Sequence, residues 1–267
     1  MRYTDCAKGG GFMRILRSIS MAFSIFSRIP MPKIVWRDEN MRYMLCAFPL
    51  IGMVIGLCLL AWTWICSITG IGILLRAVGL TLIPVAVTGG FHLDGFMDTS
   101  DALASNAPPE RKREILKDPH TGAFGVMGLC AYLLLYAALC SQLIIDRNAI
   151  LSLILMHTLS RVVSGLTILI FPANAAKGLL STFRQASDKR AASVILSILF
   201  VLCAACLIYT DWMTGSAMLA AVLFCIVYLF FMSKKQLGGM SGDLAGYFLQ
   251  TAEISMLAMI VVIQLIR

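Results

Sequence analysis

Long apolar runs, separated by short polar stretches, set the character of this chain. Seven of them are long enough, or nearly so, to cross ~30 Å of hydrocarbon. They cover about 44–66, 69–91, 122–145, 149–171, 191–209, 214–233 and 250–266, the fifth and seventh being short. The pattern predicts an all-α fold: a polytopic membrane helix bundle with about seven transmembrane helices. It forms a single integral membrane domain over 1–267, with 1–43 as a cytoplasmic or interfacial segment and 44–267 as the bundle. In the first segment Phe12, Leu16, Ile19, Phe23 and Phe26 recur at helical spacing, with Arg14, Arg17, Ser20, Ser24 and Ser27 between them. That is the pattern of a helix lying in the membrane interface, not of a secretory signal. Arg28-Ile29-Pro30-Met31-Pro32 ends it, because proline removes donors and fixes φ.

Composition agrees. The chain is 59% apolar and 13% charged, with a net charge of +8 and a mean hydropathy of +0.86. These values exclude an ordinary soluble domain. Of the 22 Lys and Arg residues, 18 fall in 1–43, 92–121, 172–190 and 234–249. The alternate segments hold only Arg147 and Arg267, while Arg76 and Arg161 lie inside spans. The bias predicts that the N-terminus and the basic loops face the cytoplasm and the C-terminus the other side. The positive charge therefore reflects topology and contact with the lipid bilayer, and no nucleic-acid module is visible. Eight of the nine cysteines lie in apolar spans and Cys6 in the tail. Cys203-Ala204-Ala205-Cys206 sits mid-span without polar company, so it reads as packing rather than redox or metal chemistry.

The chemistry concentrates after the second run. Six of the 14 acidic residues lie between 94 and 118. Asp94, Asp98 and Asp101 are spaced i, i+4, i+7, which a helix holds within roughly 60° of arc. Nothing nearby in sequence neutralises this stripe, and charge at a membrane end is costly. Hard oxygen donors in this pattern predict a divalent cation such as Mg²⁺, Mn²⁺ or Ca²⁺, not zinc. Gly95 clears space for a substrate or for another backbone. Beyond Ala107-Pro108-Pro109 a short charged helix runs to about Lys117, closed by Asp118-Pro119. It reads as a solvated face laced with salt bridges.

A second polar island, Lys234-Lys235-Gln236-Leu237-Gly238-Gly239-Met240-Ser241-Gly242-Asp243, faces the same side. Lys234, Lys235 and the N–H groups of Gly238 and Gly239 are candidates to hold phosphate, and Asp243 to add a metal or hydroxyl contact. The two segments together predict a composite site. Arg161 shares a helix face with His157 and fits either a structural ion pair or an anion site. His157 reads as a core histidine. His92 fits a contact to phosphate or metal, or a capping role, and Glu253 faces the same choice.

Together these residues resemble the cobalamin synthase family, the adenosylcobinamide-GDP ribazoletransferases. The central match is Gly89-Gly90-Phe91-His92-Leu93-Asp94-Gly95 with Asp98 and Asp101. It continues through Glu114-Ile115-Leu116-Lys117-Asp118 and Gly122-Ala123-Phe124-Gly125. Ser27-Arg28-Ile29-Pro30, Phe48-Pro49-Leu50-Ile51-Gly52, Ser160-Arg161 and Gly238-Gly239-Met240-Ser241-Gly242-Asp243 with Glu253 complete it, in order, over most of the chain. Two positions depart from the family. An Arg usual after the Pro that ends the fourth span is missing from Pro172-Ala173-Asn174-Ala175, with Lys177 the nearest substitute. A Glu common in the last motif is Gln250.

The resemblance implies a Mg²⁺-dependent transferase in the bacterial cytoplasmic (inner) membrane, its active site facing the cytoplasm. It implies joining of adenosylcobinamide-GDP to α-ribazole or α-ribazole 5′-phosphate, with release of GMP, the last step of nucleotide-loop assembly. It implies catalytic Asp94, Asp98, Asp101 and Asp243, the first three as metal ligands. Substrate contacts would come from His92, Gly95, Lys117, Asp118, Arg161, Lys234, Lys235, Gly238 and Gly239. A homo-oligomer is compatible with the sequence. The Asp-Gly-x-x-Asp core is also similar to CDP-alcohol phosphotransferases, but their longer Arg- and Asp-containing pattern is missing. An ion-coupled transporter or a structural membrane subunit are the readings from other classes. The first conflicts with a stripe at a membrane end rather than a midplane helix break, and the second leaves the stripe unexplained.

Overall fold

Hydrocarbon offers no partner for backbone N–H and C=O groups, so apolar runs of this length must close their hydrogen bonds internally, as helices. The computed structural model describes residues 11–118, 120–173 and 179–267. α1 (Gly11–Phe26) and the one-turn α2 (Asp38–Met41) lead into α3 (Met44–Thr69) and α4 (Ile73–Thr88). Next come α5 (Phe91–Ala104), α6 (Pro109–Ile115), α7 (Ala123–Gln142) and α8 (Arg147–Ile170). The chain ends with α9 (Leu179–Ala186), α10 (Lys189–Thr210), α11 (Trp212–Met232) and α12 (Gly242–Leu265). A π-helical turn, Ser233–Leu237, extends α11.

Among the described residues six helices are long and apolar enough to cross a membrane: α3, α7, α8, α10, α11 with its π turn, and α12. α4 gives a seventh when taken with α5, from which it is bent by 98°. α4 has 16 residues, about 24 Å at 1.5 Å per residue, so it is the short member of the set. Asp146, Asp188, Asp211 and Ser241 start α8, α10, α11 and α12, each accepting from a backbone N–H of the first turn. Such caps satisfy donors that a helix end leaves orphaned. α8 is the central helix, buried along most of its length from Ser152 to Leu169. α3 packs directly on it: a Cβ on Gly56 would lie 2.7 Å from the Ile154 Cα, the close approach that small residues allow between membrane helices. Large apolar side chains such as Leu74, Leu134, Val201 and Phe224 point outward, as lipid contact requires.

Two turns place the polar segments. Gly89 and Gly90 have φ of 64° and 79°, a left-handed pair that glycine adopts without steric cost. They swing α5 off the axis of α4, so the acidic stripe leaves the line of the span. Gly238 and Gly239, with φ of 73° and 132°, reverse the chain between the π turn and α12. The expected loop 234–249 is thereby reduced to residues 238–241. α12 begins at Gly242 rather than near residue 250, because Ser241 caps a helix whose polar first turn lowers hydropathy without breaking it.

Candidate active site

The predicted stripe is real: Asp94, Asp98 and Asp101 lie on α5, Asp94 exposed and the other two half-buried. α12 brings Asp243 against them. A Cβ on Gly95 would lie 2.7 Å from both the Cα and the carbonyl oxygen of Asp243. One on Gly246 would lie 2.7 Å from the carbonyl oxygen of His92. The two helices thus cross backbone on backbone, and Gly95 clears room for a backbone. This crossing unites two segments separated by most of the chain.

Four carboxylates converge here, and among the described residues none of the four forms an ion pair. Burial, then the charges of Asp94, Asp243 and Asp101, push the Asp98 carboxyl up to about 6. Repulsion of this kind fits a site built for a hard divalent cation. Among the described residues no three His, Cys, Asp or Glu side chains stand ready to hold a metal, so the cluster offers donors rather than a finished cage. Asp101 has a second task. Its Oδ1 accepts from the Gly125 N–H at 3.2 Å, tying α5 to the first turn of α7.

The remaining expected contacts divide. His92 is buried and its Nε2 has no hydrogen-bond partner. Its ring lies among Phe26, Phe48 and Phe91. Arg161 is sealed in the core, donating to the His157 carbonyl at 2.9 Å and to Ser160 Oγ at 3.0 Å, and pairing with Glu253. It is a structural ion pair, unavailable to an anion from solution. The N–H groups of Gly238 and Gly239 both donate to the Ser233 carbonyl, closing the π turn, so they are not free for phosphate. Lys234 is exposed, while Lys235 lines a groove with Phe224, Val227 and Phe231 on the flank of α11. Lys117 is exposed, and Asp118 bonds to the ring and N–H of His120. Those hydrogen bonds hold the Asp118 carboxyl below its ordinary range. The charged pairs of α6, Arg111–Glu114 and Arg113–Glu110, are surface i,i+3 pairs. Gln250 accepts from the Tyr132 hydroxyl at 2.5 Å inside the bundle. Lys177 lies outside the described residues.

Two cations escaped notice as site residues. Arg28 is exposed, and its side chain lies over Gly89 while its N–H donates to Val87 O at 2.8 Å. Among the described residues its guanidinium has no ion pair, which leaves it beside α5 with donors to spare. Its signal was the Ser27-Arg28-Ile29-Pro30 motif, which belongs to the family resemblance and to a helix end but carried no role for Arg28. Lys112 donates to Gln236 Oε1 at 2.6 Å and fastens α6 to the π turn. That pairing between distant segments left no mark in local sequence.

The chain is similar to known proteins over most of its length. A protein of Lachnoclostridium phytofermentans named adenosylcobinamide-GDP ribazoletransferase is 38% identical over 91% of this chain and 92% of its own length. A protein of the same name from Clostridium perfringens is 32% identical over 90% and 95%, respectively. A third, from Listeria monocytogenes, is 32% identical over 86% and 92%. No solved structure matches the chain. The family described as cobalamin-5-phosphate synthase matches residues 18–261, including both helices of the carboxylate crossing. The chain therefore belongs to the cobalamin-5-phosphate synthase family.

Proposed function

We propose that this chain joins adenosylcobinamide-GDP to α-ribazole, or its 5′-phosphate, with release of GMP, as a Mg²⁺-dependent transferase of the phosphotransferase class. The observation that carries the reading is the meeting of Asp243 with the Asp94–Asp98–Asp101 stripe, in a chain whose relatives bear that name. A hydroxyl oxygen of the ribazole forms a bond to the phosphorus attached to cobinamide. The bond from that phosphorus to the bridging oxygen breaks, and its electron pair leaves with GMP. Mg²⁺ held by Asp94, Asp98, Asp101 and Asp243 would neutralise charge on the diphosphate and on the departing GMP. A carboxylate of the cluster not fully committed to the metal takes the hydroxyl proton. Arg28 supplies charge-assisted hydrogen bonds to phosphate oxygens, the direct donors that the carboxylates themselves lack.

Purified protein, incubated with adenosylcobinamide-GDP, α-ribazole and Mg²⁺, should release GMP and form a cobalamin in equal amounts by mass spectrometry. No GMP under these conditions would overturn the reading, and a transporter or structural subunit would give none. The charge bias supports a site that faces the cytoplasm, in keeping with a protein of the bacterial inner membrane. In a background without native thiols, an impermeant thiol reagent added outside should label Trp212→Cys and miss Glu110→Cys. Labelling of Glu110→Cys from outside would reverse the topology.

A further inference from the structure

A narrow recess opens beside the carboxylate crossing, lined by Phe26, Phe48, Phe91, His92, Phe183 and Gly242, among others. Phe91 and Gly242 are exposed and form its mouth; Gly242 directly precedes Asp243, and His92 stands two residues before Asp94. Its walls are aromatic. Phe26 is the hub, its ring centroid 4.7 Å from Phe48, 5.5 Å from Phe91 and 5.8 Å from Phe183, and stacked on His92 at 6.1 Å. His92 is 4% exposed, and its Nε2 is buried without a hydrogen-bond partner. A buried ring nitrogen without a partner is costly unless a ligand supplies one.

We propose that this recess takes the aromatic base of the ribazole nucleoside, with His92 Nε2 hydrogen-bonded to the base nitrogen that does not carry the sugar. The inference rests on the function proposed above. Aromatic walls favour a flat ring by offset and edge-to-face stacking, and the unpartnered His92 Nε2 matches one ring nitrogen. The position next to Asp243 keeps the nucleoside's sugar hydroxyls on the side of the carboxylates, where the phosphorus must be attacked.

The test separates this assignment from the activity itself. GMP release by the wild-type protein establishes the reaction. KM is then measured for each substrate in His92→Phe, His92→Gln and Ile168→Trp, the last narrowing the recess from its α8 wall. His92→Phe and Ile168→Trp should raise KM for α-ribazole at least ten-fold while KM for adenosylcobinamide-GDP stays within two-fold. His92→Gln, which keeps an amide near the Nε2 position, should recover part of the loss. Equilibrium dialysis of benzimidazole against wild-type and variant protein reads the recess without turnover, and the same two variants should lose that binding. If α-ribazole KM and benzimidazole binding stay within two-fold in both variants, the assignment is wrong even where GMP release is intact. If GMP release fails but benzimidazole binds in a His92-dependent way, the recess stands and the proposed reaction does not.

Discussion

Glu253 and Asp98 are both carboxylates drawn into a membrane bundle, yet their surroundings are opposed. Glu253 is buried and accepts from Ser160 Oγ at 2.8 Å while pairing with Arg161. His157 Nδ1 lies 3.0 Å from the same oxygen, though not aligned for a hydrogen bond. Asp98 faces three more carboxylates, and among the described residues it forms no ion pair. The first cluster is closed: its charges cancel within the protein, and nothing further is needed. The second is open: its charges add, and the repulsion is relieved only by something that arrives from outside. Both groups are costly near hydrocarbon, so burial alone does not distinguish structure from function. The sign of the neighbours does.

The sharpest way to break this comparison is to remove charge from the open cluster. Asp94→Asn or Asp98→Asn should each lower turnover by about 10²–10⁴-fold, with size-exclusion profile and helical circular dichroism unchanged. Two variants with near-wild-type rates at saturating Mg²⁺ would sink the assignment. In the closed cluster the loss should fall on stability instead. Glu253→Gln leaves Arg161 buried without its counter-charge and should cost about 3–5 kcal/mol in denaturant unfolding in mild detergent. Replacing both partners by apolar residues should return much of that. A Glu253→Gln variant as stable as wild type yet inactive would move Glu253 into the site.

The crossing that assembles the open cluster is the next lever. Gly246→Ala presses a methyl against the His92 carbonyl and should cost about 1–3 kcal/mol by overpacking, with activity falling as Asp243 shifts. Gly242→Ala is the control, since a Cβ there meets nothing within 4 Å. Equal losses from both would show that helix propensity, not the crossing, is being measured. The smallest effect concerns pH. The Asp98 carboxyl sits at about 6 against an ordinary 3.8. In chelator its contribution to stability should therefore be fullest below pH 3.8 and lost as pH rises through about 6. Mg²⁺ should flatten that slope, and Asp98→Asn should abolish it. A slope of opposite sign would mean that Asp98 has a cationic neighbour.

Much of this arrangement was legible before any coordinates. The runs of apolar residues exceed what water-soluble helices tolerate, so spans near 44–66, 122–145, 149–171 and 214–233 could be drawn from hydropathy alone. The spacing of Asp94, Asp98 and Asp101 needs only helical periodicity. Hydropathy was silent where polarity and helix coexist. Gly242 to Leu249 contains Asp243 and two glycines, so it read as loop, while a Ser241 cap and apolar Leu244 and Phe248 make it the start of α12. Gly238 and Gly239 carried a phosphate signal by composition, but their N–H groups were already engaged within the chain. Arg161 left two roles open, because a single sequence does not say which partner a buried cation meets.

The sequence by itself determined the solvent of this protein, the number of its apolar segments, the stripe of carboxylates and the family to which their order belongs. These follow from short-range quantities: hydropathy summed over a span, helical angle, and motif spacing. The tertiary structure alone decided which distant charges meet. It set Asp243 beside Asp98, Glu253 beside Arg161, and His92 among aromatic rings. Such pairings depend on helix-crossing geometry, here fixed by glycines that let α5 and α12 touch at the backbone. Electrostatic energy depends on separation in space, and separation along the chain carries almost none of that information once helices cross.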